Sequence, residues 1–188
     1  GMHFSFFNQP LAAQKNFKSF CSSLKPLLNS NKKALEELEE IENNFAKVMQ
    51  EKMEKMWANK LGISKFDVEL FEELINLMIE TKVDYTIFFR ELSNIPDNIN
   101  NLEKSFYGSL KDENIKSRWN NWLEIWKSLI NVNDEESKKS LSNQMKLINP
   151  KYTLREWHLV WAYQEAQNGN YELVHELQKI MTNPYEKQ

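Results

Sequence analysis

Only four glycines, at positions 1, 62, 108 and 169, and five prolines punctuate this chain of 188 residues. Sandwiches and barrels turn every few residues and use Gly and Pro to do so, which excludes a many-turned β fold and leaves long helices as the natural alternative. The hydrophobic fraction of 41% and charged fraction of 27% are those of a globular protein, and the length suffices to bury a core. The expected fold is therefore all-α: an irregular bundle of eight or nine helices forming a single domain over residues 4–188. Gly1-Met2 reads as a tag scar before a start methionine, with residues 1–3 a disordered start.

Helix boundaries follow from apolar spacing and end signals. Phe4, Phe6 and Phe7 form an aromatic strip, after which Pro10 opens a first helix with Asn8 near its cap and Leu11, Phe17, Phe20, Leu24, Leu27 and Leu28 at helical spacing. A second helix runs from near Asn31 to Leu61, stopped by Gly62. Glu36, Glu37, Glu39, Glu40 and Glu42 lie early in it and Lys47, Lys52, Lys55 and Lys60 late, an order that complements the helix dipole and reads as a solvated face. Ser64–Asp67 caps a third helix, with Phe66, Leu70, Phe71, Leu74, Ile75 and Met78 inward. Asp84 caps a short segment ending at Ser93, and residues 94–101 read as a polar loop. Trp119, Trp122 and Trp126, three and four apart, share one helix face and suit a core. Asp134 opens a further helix ended by Asn149-Pro150. Thr153-Leu-Arg-Glu156 has the form of a capping box, Asn168-Gly169-Asn170 breaks the pattern, and a last helix spans Tyr171–Met181 before Asn183-Pro184.

The same residues exclude most chemistry. A net charge of −3 provides no basic field for nucleic acid, and no run approaches the ~20 apolar residues of a membrane helix. With no signal peptide opening the chain, a cytoplasmic protein is expected. The four glycines cannot form a G-x-G-x-x-G or Gly-Lys-Ser/Thr phosphate loop, and no Asp is followed two residues later by Gly, so a kinase metal-binding D-F-G is missing. His175-Glu176 lacks a second histidine at Lys179, and Glu172-Leu-Val-His175 is a single copy of a motif that a di-iron bundle needs twice, since neither His3 nor His158 has Glu three residues before it. Cys21, the sole cysteine, reads as a small buried hydrophobe. The residues nominate no catalytic, cofactor-binding or metal-binding side chain, and ATP binding of useful affinity is not expected.

Three strings nevertheless resemble one bacterial family, the selenoprotein-O-like protein adenylyltransferases. They are Phe4-Ser-Phe-Phe-Asn-Gln-Pro10; Met56-Trp-Ala-Asn-Lys-Leu-Gly62 with Asp84-Tyr-Thr-Ile-Phe-Phe-Arg-Glu-Leu-Ser93; and Asn149-Pro-Lys-Tyr-Thr-Leu-Arg-Glu-Trp157 leading to Asn168-Gly-Asn-Tyr171 and Asn183-Pro-Tyr185. The resemblance implies a kinase-like (pseudokinase) fold that binds ATP and divalent metal and transfers AMP to protein hydroxyls. In that family the nucleotide and metal motifs precede the first string, so this chain would correspond to the helical C-terminal region, with no catalytic residue to carry over. Phe7, Glu156, Gln167 and Asn170 depart from the family pattern, and the family's tail with a redox-active cysteine or selenocysteine has no counterpart here.

Two readings follow: a non-catalytic helical domain supporting a kinase-like core, or a stand-alone helical interaction module. In both, Asp84 and Thr153 act as helix caps. An exposed apolar patch is expected to include some of Phe4, Phe6, Phe7, Leu11 and Phe17, and the simplest consequence of such a patch is a homodimer.

Overall fold

The computed structural model describes residues 8–186. Among these residues the elements run in the order α1 Gln9–Leu28, α2 Lys32–Leu61, α3 Val68–Glu80, α4 Tyr85–Leu92, the 3-10 helix Ile99–Ser105, α5 Glu113–Leu129, α6 Glu135–Ile148, α7 Glu156–Gln167 and α8 Glu172–Thr182. Among the described residues there is no β-strand, only an antiparallel bridge between Val83 and Phe106. The all-helical fold anticipated from scarce Gly and Pro is the one found.

The end signals work as local chemistry dictates. Pro10 stands in the first turn of α1. The Asn31 carboxamide oxygen accepts from the Ala34 N–H at 3.1 Å and starts α2. Gly62, at φ +68°, ends α2 in the left-handed region that glycine tolerates. Side-chain oxygens of Asp67, Asp84 and Asp134 accept the N–H groups of Leu70, Ile87 and Ser137 and cap α3, α4 and α6.

The chain divides into two compact units at Met56/Trp57. In the first, α1 and the longer part of α2 form an antiparallel hairpin. Phe17 stacks on Phe45 at 4.6 Å, and Lys25 approaches Glu42 at 3.7 Å. Cys21 and Leu38 are its only buried described residues. The second unit begins with the last turn of α2 and holds the larger core. There Trp119, Trp122 and Trp126 pack with Phe88, Phe89, Leu61, Leu74 and Leu92, all fully buried. The Trp122 and Trp126 rings stack 6.1 Å apart. Their indole N–H groups donate to the Leu70 carbonyl at 2.9 Å and the Leu61 carbonyl at 2.7 Å, whereas the equally buried Trp119 Nε1 has no hydrogen-bond partner among the described residues.

Three expectations are corrected. Thr153 does not cap α7: the N-cap position belongs to Arg155, whose extended backbone delays the helix until Glu156. The reason is long-range, since the Arg155 side chain is pulled toward Asp84. Residues 94–101 are not merely a polar loop. Ile95, Pro96 and Ile99 are buried, and Asn98 opens the 3-10 helix through a capping box with Asn101. Lys60 does not lie on a solvated face but is buried. Of the proposed aromatic patch, Phe4, Phe6 and Phe7 lie outside the described residues, Leu11 is exposed, and Phe17 is half-covered by Phe45.

Candidate functional site: a buried polar junction

The strongest concentration of perturbed polar groups lies in the second unit, where the C-terminal ends of α2, α4 and α6 converge. Carbonyls at a helix end lack intrahelical donors and carry partial negative charge. Here they are met by side chains from distant sequence. Asn149, fully buried just past α6, donates through Nδ2 to the Lys60 carbonyl at 2.9 Å and to Ser93 Oγ at 3.0 Å. Ser93 Oγ in turn donates to the Phe89 carbonyl at 2.7 Å. Arg90 Nη1 reaches two carbonyls, of Lys146 and Asn149, at 2.9 and 3.0 Å.

Lys60 sits at the centre with 7% of its surface exposed. Its ammonium donates to Asn149 Oδ1 at 2.9 Å and lies over the Phe89 ring at 4.6 Å and the Tyr85 ring at 5.2 Å. Ring faces and helix-end dipoles partly replace the lost water, but burial still disfavours the charge and lowers the Lys60 pKa to about 8. The same burial pushes the Tyr85 hydroxyl well above its ordinary value.

At the opposite end of α4 the polarity is reversed, and so is the charge. Asp84 caps the helix at its positive end. Its two oxygens accept both terminal nitrogens of Arg155, at 2.7 and 2.9 Å, and Tyr107 Oη donates to Oδ2 at 2.9 Å. The Asp84 N–H donates to the Ser105 carbonyl at 2.7 Å. The bidentate bond from Arg155 chiefly holds the carboxyl down at about 2, with the Ile87 N–H and Tyr107 adding to it against the cost of burial. Downstream, the Lys151 and Tyr152 N–H groups both donate to the Pro184 carbonyl, which fastens the chain before α7 to the chain after α8.

The central charges of both clusters are matched: Lys60 to Asn149 and the ring faces, Asp84 to Arg155. Arg90, at the edge of the first cluster, also lines a cavity of about 620 Å³ with Glu91, Lys104, Lys146 and Lys151. The groove beside Gly62, about 620 Å³ and lined by Asn59, Ser64, Leu141, Gln144, Met145 and Leu147 among others, contains no titratable side chain. Cys21 is buried, as its apolar neighbours in sequence implied, and His175 is exposed on α8. Among the described residues no group of three or more His, Cys, Asp or Glu is arranged to hold a metal ion, and no helix is long and apolar enough to cross a membrane.

Most side chains of these two clusters, though not Tyr107, belong to the separated strings singled out in the sequence. Lys60 lies in one part of the second, Asp84, Tyr85, Arg90 and Ser93 in the other, and Asn149 and Arg155 in the third. A family model described as protein adenylyltransferase SelO matches residues 1–182. The chain belongs to that family. A protein nucleotidyltransferase YdiU of Flavobacterium johnsoniae is 30% identical over 98% of this chain and 36% of its own length. The proteins of the same name from Aromatoleum aromaticum and Clostridium beijerinckii are each 31% identical, over 100% and 97% of this chain and 36% of their own lengths. The chain thus spans about a third of the length of these SelO-family relatives. Sequence reasoning found Asp84 as a cap and missed Lys60 and Asn149. A lysine in a last helical turn and an Asn before Pro are common end signals, and nothing local marks them as a pair.

Proposed function

We propose that this chain is a non-catalytic helical region of a SelO-type protein adenylyltransferase, packed against a kinase-like core that transfers AMP from ATP to protein hydroxyls. The observation that carries this reading is the fate of the perturbed groups. Lys60 and Asp84, whose pKa values depart most usefully from ordinary, are consumed by Asn149 and Arg155 inside the fold. Groups spent in this way stabilise a scaffold rather than face a substrate. The metal that the family's chemistry implies finds no fitting donor set among the described residues, so no step of AMP transfer is assigned to this chain. ATP and magnesium belong, in this reading, to the core, and the protein works in the cytoplasm.

The surface offered to that core is α7. Trp157 and Trp161 are exposed by 52% and 61%, with Val160 between them and Leu154 just before the helix. An apolar face of this kind on an otherwise well-packed unit suits a covering partner.

The test uses the full-length Flavobacterium johnsoniae relative with its matched third replaced by this chain. Trp157→Asp with Trp161→Asp is expected to lower the melting temperature of that chimera while leaving the isolated chain unchanged. Labelled ATP with magnesium is expected to yield no AMP transfer by the isolated chain. AMP transfer by the chain alone, or a chimera indifferent to the two substitutions, would overturn the reading.

A further inference from the structure

The α1–α2 hairpin leaves a second apolar face open, unrelated to α7. On α1, Phe20 and Leu27 are exposed by 57% and 78%; on α2, Ile41 and Val48 by 57% and 43%. Each pair is two helical turns apart, so each forms a short stripe. The stacked Phe17 and Phe45 mark the seam between the helices. At about 100° per residue, Phe20 and Leu27 lag Phe17 by roughly 60–80°, and Ile41 and Val48 lag Phe45 by roughly 40–60°. In an antiparallel pair, equal offsets from the seam place both stripes on the same side. The result is one apolar face on a unit that buries only Cys21 and Leu38 among its described residues.

The α2 stripe is bounded by opposite charges. Glu37 stands four residues before Ile41, and Lys52 four residues after Val48. All four fall within a sector of about 60°. The order Glu37, Ile41, Val48, Lys52 has the same spacing read from either end. Turned end for end by a two-fold axis near Asn44, α2 places its Ile41 opposite Val48 of a second copy and its Glu37 opposite Lys52 of that copy. Two-fold symmetry makes each contact twice. Among the described residues of one chain Glu37 pairs with Lys33, at 3.9 Å and in solvent, a contact weak enough to be exchanged.

We propose that this face is a homodimer interface, with α2 antiparallel to α2 of the second copy, Ile41 and Val48 at its centre and Glu37–Lys52 pairs at both ends. Phe20 and Leu27 widen the apolar floor. The proposal does not depend on the adenylyltransferase reading.

Light scattering after size exclusion, on the full chain, tests it. The expected mass is twice the 22.4 kDa of one chain, falling to one on dilution. Ile41→Asp with Val48→Asp is expected to give the single-chain mass with unchanged helix content, because both side chains lie outside the buried core. Ile41→Ser with Val48→Ser serves the same readout if the charged pair disturbs folding. Glu37→Lys or Lys52→Glu alone is expected to raise the dimer dissociation constant about tenfold, and the double reversal to restore it, as exposed ion pairs turned repulsive and back require. A monomer at every concentration overturns the proposal and leaves the face to another occupant, such as the remainder of a family protein. A dimer indifferent to the charge reversals, or one the double reversal fails to rescue, overturns it equally.

Discussion

α5 and α7 both carry tryptophans at helical spacing, three on α5 and two on α7, and the second unit treats them oppositely. Trp119, Trp122 and Trp126 are fully buried, whereas Trp157 and Trp161 stand half or more in solvent. Periodicity alone does not separate the two cases. What separates them is the opposing surface. α5 faces α3, α4 and the end of α2, where the Leu70 and Leu61 carbonyls accept two indole N–H groups. On α7 only Ala162 is buried, and the helix is fastened by its start, through Arg155, rather than by its aromatic face. Bulk on α5 creates a core, and bulk on α7 creates a surface.

The contrast should be largest for truncation. Trp122→Ala is expected to cost about 3–5 kcal/mol, the range for emptying a large aromatic site, whereas Trp161→Ala should cost less than about 0.5 kcal/mol in the isolated chain. Urea denaturation compares them, and similar midpoints would mean α7 is packed as tightly as α5. Arg155→Ala comes next. It strands the Asp84 carboxylate, 7% exposed at its side chain, and should cost about 2 kcal/mol. Hydrogen exchange is expected to show lost protection in α7 with α5 unaffected; loosening of α5 would break the distinction.

Titration sharpens the same comparison. The Lys60 ammonium releases its proton near pH 8 when folded and near 10.5 when unfolded, so the unfolded chain holds more protons between those values. Raising pH through that window should therefore increase stability, and Lys60→Met should flatten the slope. Asp84 gives a slope of the same sign, in the acid range. Its folded value of about 2 lies below the ordinary 3.8, so its contribution is present above about pH 4 and is lost as pH falls toward 2. Arg155→Ala should remove most of that acid sensitivity. Denaturation midpoints across pH measure both. The smallest effect is expected at Thr153, where Ala should change stability by less than about 0.5 kcal/mol because its hydroxyl caps nothing.

Much of the fold was legible because it is local. Asp67, Asp84 and Asp134 satisfy N–H groups three residues away, and Gly62 and Gly169 stop helices with backbone angles open chiefly to glycine. The misreadings at Thr153 and Lys60 were non-local, whereas the Asn98–Asn101 capping box inside residues 94–101 is local. Thr153-x-x-Glu156 has a valid capping pattern, yet a bidentate bond to a carboxylate 71 residues upstream holds the backbone extended through Arg155. Lys60 has the composition of a helix-end cation, yet its Asn149 partner is 89 residues away.

What the sequence by itself determined is the helical class, the start and stop of most helices, and family membership. Each depends on neighbours within a few turns or on strings read in order. The tertiary structure decided which end signals prevail and which tryptophans make the core. It also joined the scattered strings into one junction of three helix C-termini, with Asp84 at the opposite end of α4. Those outcomes depend on which carbonyls and charges are brought within about 3 Å of one another, and a hydrogen bond spanning 71 or 89 residues leaves no period or spacing in the chain that forms it.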